Sequence, residues 1–414
     1  MPRSASASSS RTDRDPSVMN FSLRLQAIAV GVCVLGFAAA TSAQLPAKPP
    51  AKPDGLIHTE VSLLGRTASV LFAPDLRAND PAHRALFANG TQASGRVRIG
   101  ELQTNSALKF GDVSVGKPGL VAFKYDLVLE AFGDAWQLNV TPAGAPSDAA
   151  ASVNVSKIAL SRERAAVAAP TLLAALVPVT RDTAQLILTW ADVKATASVQ
   201  FQELQLPARG AGGGGRQVAP VNRTHNEENA GARLTMLSQL NEAALVDPSG
   251  ARASVTFART FPKGTSSQSA AGTTRREGLV VEGPDFKGLL STRDGAVVEL
   301  TQAPALRLTI DKAVRAGKVV LRPGNQTPGF AGAYSIWLKR AGDGWRLVFN
   351  QEPDVWGSQR DPKSDVGEVD LVYAKGGEPS RPLGVALVPT SADRWRLVLG
   401  WGPHEWAADF AAAQ

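Results

Sequence analysis

The side chains with chemistry to offer are four histidines (His58, His83, His225 and His404), one cysteine (Cys33) and eight tryptophans in 414 residues. No two histidines lie within four positions of each other. The chain therefore lacks His-Glu-x-x-His and every paired-imidazole spacing that holds zinc, and it carries no dense carboxylate loop. It also lacks a Gly-x-Ser-x-Gly elbow, and nothing in its order singles out a serine nucleophile. Glu227-Glu228 are adjacent carboxylates in a polar stretch, where solvated charge is the simpler reading than acid/base apparatus. No cofactor and no metal are expected, and an uncharacterised hydrolase ranks behind a binding or structural role.

The tryptophans are the better lead. Trp337, Trp345, Trp395 and Trp401 fall where apolar and polar residues alternate, so core packing is expected of them. Trp356 and Trp406 differ. Trp356 is followed by the polar Gly357-Ser358-Gln359-Arg360-Asp361, and Trp406 stands beside Pro403-His404-Glu405. Loop aromatics with neighbouring Arg and Asp stack on sugar rings, so Trp356, Arg360, Asp361, His404 and Trp406 form the candidate ligand site. The partner would be a glycan or a cell-envelope component. The competing reading is a loop that folds its own indole back onto the sheet as a lid.

Strands must position these residues. Val193, Ala195, Ala197, Val199 and Phe201 alternate with Lys194, Thr196, Ser198 and Gln200; Leu306, Leu308 and Ile310 alternate with Arg307, Thr309 and Asp311. Turn clusters such as Ala341-Gly342-Asp343-Gly344 and Pro323-Gly324-Asn325 separate such runs, the pattern of antiparallel sheets with one wet face. The expectation is all-β, two tandem antiparallel β-sandwiches. Two segments recur 211 positions apart: Leu173 to Pro178 with Leu186 to Trp190, and Gly384 to Pro389 with Leu397 to Trp401. Gly133-Asp134-Ala135-Trp136 similarly precedes Gly342-Asp343-Gly344-Trp345, and Ala68 to Ala73 precedes Ala253 to Ala258, in the same order. Copy 1 is placed at 57–205 and copy 2 at 233–412, with a Gly-rich linker at 206–232 and a Pro/Lys-rich one at 44–56. Residues 233–244 read as a short helix or an irregular lead-in.

Copy 2 contains, in order, Gly332-Ala333-Tyr334-Ser335-Ile336-Trp337, Asp343-Gly344-Trp345-Arg346-Leu347-Val348-Phe349-Asn350, Trp356-Gly357, and the turn Asp361-Pro362-Lys363-Ser364-Asp365. This order resembles the domain of unknown function 2911 family of secreted bacterial proteins. Copy 1 keeps only Asp134-Ala135-Trp136-Gln137-Leu138-Asn139 and the final strands, a degenerate version. The resemblance implies export and a β-sandwich, and supplies no activity.

Export is also read from the residues. The apolar run 27–40 follows Arg24 and precedes Thr41-Ser42-Ala43, the order of a secretory signal peptide cut after Ala43. The run is short for a bilayer span, and no other segment is long and apolar enough for one. Met19 would start a signal of ordinary length, which makes residues 1–18 an upstream extension. Cys33 lies inside the signal and follows Val32, a poor lipid-attachment context, so the mature chain holds no thiol and needs a large core in place of disulfides. The formal charge of +7 comes from 44 Lys+Arg scattered among 37 Asp+Glu, with no basic stripe for nucleic acid. A periplasmic or extracellular location follows. Mass spectrometry of the exported protein should find Gln44 at its N-terminus; retention of Met1 or Met19 would remove the export assignment.

Overall fold

Alternation in the sequence becomes alternation of burial. In β1 (Ile57–Leu63) residues 57, 59, 61 and 63 are buried and those between are half-buried. The computed structural model describes residues 54–413, apart from 64, 89–92, 117–122, 145–154, 181, 203–239, 262–279, 283–288, 290, 299, 301–305, 324–331, 353–359 and 377–380. The expected signal peptide, residues 44–53 of the first expected linker, the second expected linker and Trp356 lie outside the described residues.

The first half continues with β2 (Arg66–Phe72), β3 (Ser94–Thr104), β4 (Leu108–Phe110), β5 (Val113–Val115), β6 (Phe123–Phe132), β7 (Ala135–Pro142), β8 (Ser156–Pro178) and β9 (Thr183–Phe201). The second half begins with β10 (Asn241–Val246), where a helix or irregular lead-in was expected, then β11 (Arg252–Phe257), β12 (Arg259–Phe261), β13 (Val280–Glu282), β14 (Val297–Val298) and β15 (Arg307–Ile310). It is completed by β16 (Val314–Ala316), β17 (Val319–Leu321), β18 (Ala333–Ala341), β19 (Gly344–Asn350), β20 (Asp365–Lys375), β21 (Gly384–Pro389), β22 (Arg394–Trp401) and β23 (His404–Ala412). The fold is all-β, as expected. Apart from the short parallel β12–β13 pair, the described strands join one large antiparallel sheet.

β9 cannot be straight. Its 19 residues would span about 60 Å if extended, yet the Phe201 N–H donates to the Asp182 carbonyl at 2.7 Å. The reversal falls at Ala191, whose φ of 53° makes it the one non-glycine in the left-handed region among the described residues. The equivalent reversal between β22 and β23 uses Gly402, also at φ 53°, and the Ala412 N–H donates to the Asp393 carbonyl at 2.9 Å. Glycine takes this conformation freely, whereas alanine is strained by about 1 kcal/mol.

The same pairings recur at the spacing seen in sequence. Arg164 faces Val193 and Leu173 faces Thr189; 211 positions on, Lys375 faces His404 and Gly384 faces Gly400. The sheet does not divide between the two expected sandwiches. β1 and β10 pair antiparallel from His58↔Val246 to Ser62↔Glu242. β8 and β21 lie side by side, close enough that a Cβ on Gly384 would sit 2.9 Å from the Pro178 carbonyl oxygen. Buried apolar residues of both halves share one cluster that runs from Ile57 to Phe410, with Trp337 and Val348 packed apart from it.

Charge reinforces that junction. Arg252 on β11 lies 3.1 Å from both Glu60 of β1 and Glu242 of β10, and Ser69 donates to the other oxygen of Glu60 at 3.0 Å. Burial works against the Arg252 charge, but Glu242 and Glu60 outweigh it and hold its pKa above the ordinary value. The halves should therefore stay together without a covalent tether. A protease site placed within residues 206–232 of the full chain and cut under native conditions should give fragments that co-elute in gel filtration; separation into two folded fragments would show independent cores.

Candidate functional site

The four described residues among the five proposed from sequence do not converge. Trp356 lies outside the described residues. Arg360 and Asp361 stand just before β20, where Asp361 caps a short 3-10 turn by accepting from the Lys363 N–H at 2.9 Å. His404 and Trp406 instead flank the far end of that strand, since Lys375 faces His404 and Tyr373 faces Trp406. Ten residue steps along β20 amount to about 33 Å. One small ligand cannot touch both groups.

Arg360 belongs to a saturated network. Its Nε donates to Asp365 Oδ1 at 3.0 Å and its Nη2 to Oδ2 at 2.6 Å, a two-pronged guanidinium–carboxylate pair. Asn350, fully buried at the end of β19, donates to Asp365 Oδ1 and to the Asp361 carbonyl, both at 2.8 Å, and its own oxygen accepts from the Glu352 N–H. The Asp-rich turn is thereby pinned onto the sheet.

Trp406 is not a loop aromatic. It is fully buried, edge-on to Trp345 at 5.7 Å, and it packs against Tyr373 and His404. The expectation of exposure fails because the Gly402-Pro403 reversal occupies two residues only, so β23 begins at His404 and its inward positions start there.

His404 is 1% exposed and stacks on Tyr373 at 5.9 Å, with the Tyr373 hydroxyl 2.8 Å from Nδ1. Burial, and then the charge of Lys375, push the imidazole pKa below its ordinary value. The pair is thus neutral and tied across β20 and β23. It could pass a proton in principle, but the imidazole is buried between the Tyr373 and Trp406 rings.

Sequence reading missed what lies beside it. Arg381 follows the end of β20, and its carbonyl accepts from the Gly402 N–H at 2.8 Å. Its guanidinium rests on Gly400, where a Cβ would meet Nη2 at 2.3 Å. Its ion pair with Glu405 is long, 3.8 Å. No motif announces Arg381, because only the passage of the chain over the β22–β23 turn brings it there. In the first half the matching positions are Pro170 and Thr189. There a concavity of about 510 Å³ opens beside Ala169, Pro170, Ala191 and Arg77. Among the described residues no group of three or more His, Cys, Asp or Glu could hold a metal ion.

Compared with known proteins, the chain matches no family model, no curated protein and no solved structure.

The neutral histidine gives stability a pH dependence. The unfolded chain takes up a proton as pH falls through about 6.5, while the folded imidazole resists it until lower pH. Protons bound by the unfolded state then exceed those bound by the folded one, so the His404 contribution is complete above pH 6.5 and is lost as pH falls below it. Denaturant titrations from pH 7.5 to 5 should show a shallower slope in His404→Phe than in the wild type. Tyr373→Phe, which leaves a buried nitrogen without its partner, should cost about 1–3 kcal/mol.

Proposed function

We propose that the protein is exported and acts as a non-enzymatic binding or structural module in the periplasm or outside the cell. The observation that carries this reading is the state of His404, one of the candidate site residues. It is 1% exposed, neutral and hydrogen-bonded within an aromatic stack, an arrangement that holds two strands together. The Arg360–Asp365 pair is likewise spent on a turn. The signal-like segment supports export, and the recurring registers support descent by duplication of one β unit, with the second copy resembling the domain of unknown function 2911 family.

A carbohydrate-binding role is the alternative within the same class. It loses Trp406 to the core and rests on Trp356 and Arg360. The test is a pair of assays on the full chain: hydrolysis of generic ester, glycoside and peptide substrates, and glycan-array binding followed by tryptophan fluorescence. No turnover is expected. Trp356→Ala should lower stability by about 1.5–3 kcal/mol, as loss of a lid would, with no glycan quenching in either form. Turnover would overturn the non-enzymatic reading, and a glycan that quenches the wild type but not Trp356→Ala would establish the carbohydrate alternative.

A further inference from the structure

We propose that Arg381 is the base of an oxyanion-binding site in the second half, shaped to take the carboxylate or phosphate group of a small ligand. The inference stands apart from export and from glycan binding. It starts from a comparison among the described arginines that are mostly withdrawn from solvent. Arg66, 6% exposed, donates to the Phe201 carbonyl at 2.9 Å. Arg252, with its side chain 13% exposed, has two carboxylates at 3.1 Å. Arg360, at 15%, holds both oxygens of Asp365. Arg381 is buried to the same degree, 16% exposed, yet its nearest carboxylate oxygen is 3.8 Å away, beyond hydrogen-bond reach, and its buried Nε has no hydrogen-bond partner.

A buried guanidinium nitrogen left without an acceptor is costly. Burial accordingly pulls the Arg381 pKa below its ordinary value, and Glu405 offsets this only in part. The guanidinium lies directly on Gly400, which offers no side chain there, and any Cβ would strike it. The carbonyl of Arg381 is fixed by the Gly402 N–H, which anchors its backbone over the hairpin end. Glu405 is 46% exposed and free to swing toward water when a better-placed anion arrives. A planar pair of oxygens is the ligand chemistry that a guanidinium fork accepts in two-pronged fashion. The first half, with Pro170 and Thr189 at the matching positions, cannot build this site.

The test is thermal melting of the full chain in sodium chloride against sodium phosphate and sodium acetate at equal ionic strength. Phosphate, acetate or both should raise the wild-type melting temperature saturably, by a few degrees at high occupancy. Which of the two acts distinguishes a phosphate from a carboxylate ligand. Arg381→Gln should lose that rise. Glu405→Gln should keep it and reach half-saturation at several-fold lower anion concentration, because the competing carboxylate is gone. If Arg381→Gln does not fold, the Glu405→Gln comparison decides by itself. A wild type that responds to neither anion beyond chloride, an Arg381→Gln that responds as the wild type does, or a Glu405→Gln with unchanged or weakened response would overturn the proposal.

Discussion

The pairing of β1 with β10 is the constraint on which the rest of the fold depends. Each strand is also half of a hairpin, β1 with β2 and β10 with β11. Their union makes one sheet of what the chain order presents as two successive meanders. The register has an internal symmetry. Ile57 faces Phe72 as Asn241 faces Phe257, so Ala244 is the counterpart of Glu60, and Glu60 faces Ala244. A residue opposed to its own counterpart is the signature of a two-fold interface. Unpaired, both strands would present open edges, a liability that antiparallel sheets must cover.

Arg252 shows how that junction is made specific. Ladder hydrogen bonds alone tolerate a slip of register, but a slip of one residue between β1 and β10 would send the Glu60 side chain to the face away from Arg252 and Glu242. A half-buried guanidinium between two carboxylates penalises that error, because removing one partner of a buried ion group costs about 3–5 kcal/mol. The gain in net stability over an apolar substitute is small by the same reasoning. The cluster therefore matters more for alignment than for strength.

The two halves share pairings and differ in chemistry, and the differences gather at the end of the β22–β23 hairpin. Where the second half has the stack of Tyr373, His404 and Trp406, the matching positions of the first half are Arg162, Val193 and Ala195. Arg162 there lies over the Trp136 ring at 5.0 Å, as Arg340 lies over Trp345 at 5.1 Å in the other half. The first half also keeps an alanine at its reversal, strained at φ 53°, where the second has glycine. The first half instead packs His83 and Phe87 edge-on to Trp190, so each half carries its own aromatic cluster.

Strand existence and the inward set of residues were legible in the sequence by itself, because a half-buried strand must alternate with period two. Val193, Ala195, Val199 and Phe201 are buried as that rule requires. The recurrence at 211 positions was legible too, since equal pairings demand equal apolar spacing. Tertiary structure alone decided three matters. The union of the halves rests on contact between strands more than 180 residues apart, and no local pattern encodes a partner at that range. The burial of Trp406 turned on a reversal two residues long, because Gly-Pro reads equally as a tight turn or the start of a loop. The setting of Arg381 arose where an irregular stretch crosses a hairpin, so its missing partners could be seen only once every neighbouring carboxylate had a position.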